Sequence, residues 1–505
     1  MTRNRPVLKI IALLTCIALA FECASFSAYA AEENGAAQST WELSVPQIRI
    51  TTAQGNGVTL QKEDDYQDAS ITITGTDGSV LTDNCTVKVR GNTTALSWVE
   101  KKSFNFKFAK KKDVLGMGKG KKWALVANTF DPTLLRNITA FGIARELNIP
   151  YTSEYRVVEL WMDNSFRGCY LLFEPVQEGT DRVNINIDNG KDFLMEYEAR
   201  REEEDKSYFT VENLRFLISE PEEPDDEEIE YIQTTMESVI STMKNGSRED
   251  IEAVVDIDSF AKFYLLNEYM KTYDLDMSSV YFYFKDGKLY AGPPWDYDLS
   301  SGNAAPDTYY RAMATLSPQD AFVDSRIIYK VLCKNTWFYE RVRAVYREHY
   351  TFMSQIAADG GFLDTMRTQY NDVINRNYGE AGWRVSRHWI NIQRIPESTY
   401  GKNYTYLKDW CAARNEWMTG YYRPLDDAFI YGDANGDGVI NVNDVTEMQR
   451  VLAEFEVEKA PEVRFRTNFF STGYTISNAT ALQRHLGEIA PIPYLGETRF
   501  YETLK

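Results

Sequence analysis

The run from Val280 to Asp298, VYFYFKDGKLYAGPPWDYD, constrains the fold more than any other stretch of the chain. Two aromatic-rich strand-like segments, VYFYF and KLYA, flank Asp286-Gly287. An Asp-Gly pair between such runs is the strongest short-range signal for a two-residue hairpin. The two strands of a hairpin start and finish at one edge, so residues just before the first strand must lie beside residues just after the second. Asp274 and Ser279 come before; Asp296 and Asp298 come after. A convergent set of carboxylates can bind Mg²⁺ or Ca²⁺, perform general acid–base chemistry as in glycosidases, or cap helices and turns. The residues alone leave all three open.

Around this hairpin the chain divides into recognisable parts. Residues 1–30 read as a secretory signal peptide: Arg3 and Arg5, an apolar run from Val7 to Ala20, then small residues at Ala28–Ala30. Residues 31–43 read as a linker. From Ser44 the segments QIRITTAQG, SITITGTDG, CTVKVRGN and KSFNFKF alternate as strands, followed by a helical pattern from Pro132 to Asn148. The runs YRVVELWMDN and GCYLLFEPV are two more strands. The acidic stretch SEPEEPDDEEIEY reads as a solvated loop and helix start, and separates this β-rich half from a mostly helical half ending near Arg423. The fold class expected is therefore α+β, with a β-rich N-terminal lobe, a mostly helical C-terminal lobe and a small separate module at the end.

The formal net charge of −19 argues against nucleic acid and anionic membranes as partners. No second apolar run reaches spanning length, so the chain is expected to be exported without a membrane span. Cys85, Cys169, Cys333 and Cys411 are far apart and form no CxxC; either one or two disulfides or buried free thiols fit them. His349, His388 and His485 show no metal-ligand spacing and read as structural.

The order Asp274, Ser279, hairpin, Asp296 is that of protein-kinase catalytic machinery: a catalytic-loop Asp, a metal-holding residue five positions on, a hairpin, then a Mg²⁺-binding Asp. The wider sequence resembles the CotH kinase family of secreted or spore-coat proteins with an atypical kinase-like fold. The matching stretches are VRGNTT, KKSFNFKF, WALVANTFDPTLLRN, GCYLLFEPV, NEYMKTYDLD and PPWDYD, within residues 44–423. The resemblance implies Mg²⁺ (or Mn²⁺) with ATP as cofactor and transfer of phosphate to Ser or Thr hydroxyls of proteins. Asp274 would be the catalytic base, Asp296 the principal Mg²⁺ ligand, and Asp298 its neighbour. Ser279 stands where that pattern has Asn, with Asp276 a substitute ligand. Arg90 to Thr94 would form the turn over the phosphates, Lys102 or next Lys107 would contact phosphate, and Glu174 would lie at the segment linking the lobes, beside the adenine. A catalytically inactive kinase-like binding module is the competing reading. A carbohydrate-active protein is another, with Trp383, Trp389, Trp410 and Trp417 lining a sugar platform.

The final module carries its own signal. DANGDGVINVND, Asp433 to Asp444, matches an EF-hand-type Ca²⁺ loop. Side-chain oxygens come from Asp433, Asn435, Asp437, Asn441 and Asp444, a carbonyl from Val439, and Gly438 sits at the sharp turn. VTEMQRVL returns thirty-four residues later as ATALQRHL. In the second copy Thr467, Phe469, Ser471 and Asn478 replace the ligands, so a single Ca²⁺ site is expected. The repeat resembles a type I dockerin, a small all-α module, over residues 431–493. That resemblance implies docking onto a cohesin module of a cellulosome scaffoldin, through Val442, Asn443, Gln449 and Arg450 and through Ile476, Ser477, Gln483 and Arg484.

Overall fold

A computed structural model describes residues 44–199, 207–304, 316–385, 390, 393–423 and 428–453. Further on it describes 455, 457, 460–469, 474–493, 495–496 and 498–500. The signal-peptide and linker readings, His388, Trp389 and Ser471 lie outside these residues.

Seven strands close into a barrel: β1 (Gln47–Thr52), β2 (Gln67–Thr74), β3 (Val80–Arg90), β4 (Ser103–Asp113), β5 (Lys119–Val126), β6 (Tyr155–Met162) and β7 (Ser165–Phe173). Their order is β1-β2-β3-β4-β5-β7-β6, and a parallel β1–β6 pair completes the ring. Alternation explains it: Ile48, Ile71, Val87, Phe106, Trp123, Leu160 and Leu172 fill the interior, all fully buried. Closure leaves the barrel itself no open edge to template a second chain.

A second sheet holds β8 (Phe193–Tyr197), β9 (Tyr208–Val211), β10 (Leu214–Glu220), β11 (Val280–Lys285) and β12 (Lys288–Ala291), in the order β12-β11-β8-β10-β9. The predicted hairpin is β11–β12, with Asp286 and Gly287 both at positive φ as a two-residue turn requires. Its partner β8 comes from before the acidic segment. The two halves expected from sequence therefore share one sheet. Short runs such as FLMEY give too few residues for a period to show.

Helix α1 (Arg136–Glu146) is shorter than the expected Pro132–Asn148. Asp131 accepts hydrogen bonds from Thr133 and from the Arg136 main chain, and Leu134 takes a φ of 61°, so residues 132–135 form tight turns instead of a first helical turn. The acidic stretch does start a helix: Asp225 and Glu228 form a capping box on α2 (Asp226–Asn245). Next come α3 (Arg248–Val254) and the buried α4 (Ile257–Met270), which delivers the chain to Asp274. Helices α5 (Tyr329–Leu332), α6 (Thr336–Glu348), α7 (Tyr350–Gln355), α8 (Phe362–Gln369), α9 (Asn371–Tyr378) and α10 (Tyr400–Tyr422) complete the large domain.

In the last module α11 (Val442–Leu452) and α13 (Ile476–Leu486), the duplicated helices, pack together over Val445, Met448, Val451, Ala479 and Leu482. Helix α12 (Ala460–Arg466) lies between them in sequence. A short antiparallel pair, β13 (Ala428–Ile430) with β14 (Thr498–Phe500), brackets the module, which is thus not purely helical.

Among the described residues Cys85, Cys169, Cys333 and Cys411 form no disulfide. Trp383 and Trp410 are buried and donate to the carbonyls of Arg167 (2.7 Å) and Leu316 (2.8 Å). Trp417 stacks on Tyr421 with ring centroids 4.8 Å apart. These three are packing groups and present no open sugar platform. His349 meets Glu146 at 3.0 Å, and His485 accepts from the Ile492 main chain at 2.9 Å.

Candidate functional site

A cavity of about 1120 Å³ lies between the barrel rim and strands β8 and β11 of the second sheet. Arg90, Asp274, Ser279, Asp296 and Asp298 all line it, with the turn Gly91–Thr94. The hairpin accounts for the meeting of Asp274 and Ser279 with Asp296 and Asp298. Asp274 sits on a short 3-10 turn, Tyr273–Asp276, and Asp296 follows β12 by five residues. Ser279 and Asp296 both hold left-handed backbone, at φ of 63° and 61°. A serine there is strained, and such strain persists only where neighbours over-determine the conformation.

Those neighbours are visible. Glu196 on β8 accepts the Ser279 N–H (3.0 Å) and the Tyr281 hydroxyl (3.0 Å). Asn137 on α1 accepts the Tyr297 N–H (2.9 Å) while its own amide donates to Asn128 (2.9 Å). Beneath them the buried Arg136 binds Asp131 (2.7 Å) and donates to the carbonyls of Ser300 (2.9 Å) and Ser301 (3.3 Å). Asn303 donates to the Asp298 carbonyl at 2.7 Å. The acidic loop is thus held by its main chain, and Asp296 and Asp298 both line the cavity.

Electrostatics mark where negative charge concentrates. Burial, then the charges of Asp296, Asp274 and Asp131, hold the Asp298 carboxyl well above the usual carboxylate range. Opposite them, the Arg90 guanidinium lies 5.0 Å over the Trp295 ring. Burial lowers its proton affinity, while Asp296, Tyr281 and Glu196 act the other way. One end of the cavity is apolar, lined by Val126, Phe141, Phe173 and Trp295.

Other residues expected at the site are placed elsewhere. Lys102 does share a face with Phe104 and Phe106, but that face turns inward, and its Nζ donates to the carbonyls of Ala95 (3.1 Å) and Leu96 (2.8 Å). It braces the turn that lines the cavity. Lys107 is exposed on the outer face, across from Lys122. Asp276 pairs with Arg326. The side chain of Glu174 accepts the Glu154 N–H (3.0 Å), and its other oxygen is buried without a hydrogen-bond partner. Sequence reasoning missed two cations that line the cavity, Lys62 and, two residues before Arg90, Lys88. The signal for Lys88 was available, since Lys88 and Arg90 share one parity on β3 and Val87 and Val89 the other.

Glu174 has a measurable consequence. Burial pushes its carboxyl from the usual 4.5 up to about 7. Between those values the folded chain holds a proton that the unfolded chain has released, so this contribution to stability is lost as pH rises through about 7. Glu159, pushed to about 7 mainly by burial, acts in the same direction. Urea midpoints are expected to fall across that window, and Glu174→Gln to flatten part of the slope; an unchanged slope would refute the assignment.

The Asp433–Asp444 loop is closed around its own side chains. Asp433 accepts the N–H groups of Gly436 (2.8 Å) and Gly438 (2.9 Å). Asp444 is fully buried and accepts those of Ala434 (2.8 Å), Asn435 (3.2 Å) and Asn441 (2.8 Å). Asp437 accepts from Val439 (2.8 Å), and Asn441 accepts from Asn443 (2.7 Å) to cap α11. In the second copy Asn478 takes the place of Asp444, accepting the Phe469 N–H at 2.8 Å, while Thr467 bonds to Tyr474 at 3.2 Å. Among the described residues no three His, Cys, Asp or Glu side chains gather closely enough to hold a metal by themselves.

The fold and cavity define a mixed α+β protein with an acidic, cation-rimmed cleft between a closed barrel and a second sheet. The family model described as CotH kinase protein matches residues 87–418. The chain belongs to the CotH kinase family and is a kinase-like protein. No curated protein matches it significantly. No helix among the described residues is long and apolar enough to cross a membrane.

Proposed function

We propose that the large domain transfers phosphate from Mg²⁺–ATP to Ser or Thr hydroxyls of proteins. The observation that carries this is the single cavity lined by Asp274, Asp296, Asp298 and Arg90. In this reading Asp274 orients the acceptor hydroxyl and takes its proton. Asp296 and Asp298 hold Mg²⁺ or Mn²⁺. Two carboxylates suffice because such sites complete their coordination with phosphate oxygens and water. When bound, the metal neutralises charge on the transferring group. Arg90 meets phosphate through its planar fork and Lys88 as a point charge. The apolar end at Val126, Phe141, Phe173 and Trp295 receives the nucleobase. The test is label incorporation from ATP into a generic protein acceptor by wild type and Asp274→Asn. Equal incorporation by the two sinks the kinase reading in favour of an inactive, kinase-like module, which the Ser279 substitution favours.

The chain is further proposed to be secreted and to carry a dockerin that anchors it to a cohesin of a cellulosome scaffold. Support comes from the N-terminal sequence pattern and from the duplicated loop–helix unit. Support also comes from the exposed apolar side chains Val442 and Ile476, at 66% and 58% exposure, which begin the two repeated helices. Asp433, Asn435, Asp437, Asn441, Asp444 and the Val439 carbonyl would hold Ca²⁺. Calorimetry is expected to show one tight Ca²⁺ site, lost in Asp433→Ala, with chelator lowering the module's melting temperature. Two equal sites would overturn this reading of the second loop.

A further inference from the structure

The hairpin β4–β5 concentrates positive charge on a chain whose formal net charge is −19. Between Lys107 and Lys122 it carries seven lysines against one acid, Asp113. Lys112 is neutralised by Asp83 (2.6 Å) and Lys122 by Glu222. Among the described residues, the exposed Lys107, Lys110, Lys111, Lys119 and Lys121 form no ion pair. Lys107 stands directly opposite Lys122 in the antiparallel register. Glu222, which pairs with Lys122, also feels the charge of Lys107, while Lys110, Lys111, Lys119 and Lys121 have no such ion-pair partner among the described residues.

The hairpin is also firmly seated. Arg182 lies 4.8 Å over the Trp123 ring and donates to the Lys122 carbonyl (3.3 Å), and Asp181 accepts the Lys119 N–H (3.0 Å). The cations are therefore presented on a fixed edge. The charge is continuous with the candidate site: on the adjacent strand β3, Lys88 pairs with Asn105, and Lys88, Arg90 and Asn105 line the cavity. Lys107 stands two residues further along β4 from Asn105, towards the lysine-rich tip.

We propose that the exposed, lysine-rich end of the β4–β5 hairpin docks an acidic polypeptide segment beside the acceptor residue, leading its hydroxyl along β3 into the cavity. This use rests on the kinase reading; the binding itself does not. A short segment fits better than an extended polyanion because charges are felt over about 10 Å at moderate salt. Such a segment meets the lysines alone, whereas a duplex or an anionic membrane also meets the acidic remainder of the chain.

The experiment is fluorescence anisotropy of a dye-labelled peptide of alternating Glu and Ser with the full chain, without nucleotide. Wild type is compared with Lys110→Glu/Lys111→Glu/Lys121→Glu and with a control, Lys334→Glu/Lys402→Glu, at exposed positions of the helical region. Charge reversal on the hairpin is expected to weaken binding by about tenfold or more, the control to leave it unchanged, and added salt to weaken the wild type. Equal binding by the hairpin variant overturns the proposal, as does no binding at low salt. So does tighter binding of a DNA oligonucleotide or anionic vesicles than of the peptide. Label incorporation into the same peptide separates the two readings: binding without incorporation counts against the kinase alone, and incorporation indifferent to charge reversal counts against the docking surface alone.

Discussion

Arg136→Ala is expected to lower stability by about 3–5 kcal/mol, the range found when one partner of a buried ion pair is removed. Arg136 and Asp131 have side-chain exposures of 2% and 0%, so neither partner has water to fall back on. The loss reaches beyond the pair. The same guanidinium serves the carbonyls of Ser300 and Ser301, and each buried acceptor left bare costs about 1–3 kcal/mol. Replacing both charges, Asp131→Leu with Arg136→Met, should recover only part of the loss because those carbonyls stay unpaired. Lysine is a poor substitute, since a single ammonium cannot span one carboxylate and two carbonyls as a planar fork does. Urea melts of the three variants test this. A loss below about 1 kcal/mol for Arg136→Ala would show that the cluster is not a structural pin of the acidic loop.

This dependence explains what sequence could and could not reveal about the site. The hairpin was legible because its determinants are local: Asp286-Gly287 sets the turn, and alternation sets the faces. From those alone Asp274, Ser279, Asp296 and Asp298 could be placed at one edge. The closed barrel was less legible, because alternation shows that a strand has two faces without showing which one a ring encloses. That is why Lys102, on the same face as Phe104 and Phe106, is directed to main-chain carbonyls, and why Lys88 beside Arg90 is the strand lysine at the cavity. Arg136, Asn137 and Glu196 act on residues 164, 160 and 83 positions away in the chain, and no local pattern announces such partners. The β8–β11 pairing was hidden for the same reason, its two strands lying on opposite sides of the acidic segment.

Asp274→Asn is expected to reduce phosphate incorporation by about 10²- to 10⁴-fold, the usual contribution of a positioned general base. The substitution keeps size and hydrogen-bonding capacity but removes the proton acceptor, so nucleotide binding should persist. Asp296→Asn should fail differently. It lines the cavity with Asp298, whose charged form is already disfavoured by burial and by its acidic neighbours. A metal ion is what would let these carboxylates ionise together. Losing one of them should therefore raise the Mn²⁺ concentration needed for nucleotide binding as well as suppress turnover. The two variants thus separate chemistry from metal binding within one cavity. Fluorescent-nucleotide titrations at several Mn²⁺ concentrations read the second effect, and label incorporation the first. If Asp296→Asn binds nucleotide at the same Mn²⁺ concentration as wild type, the metal is not held at Asp296. If both variants also incorporate label like wild type, the acidic loop has a role other than phosphoryl transfer, and its rigid seating on Arg136 and Asn137 serves binding alone.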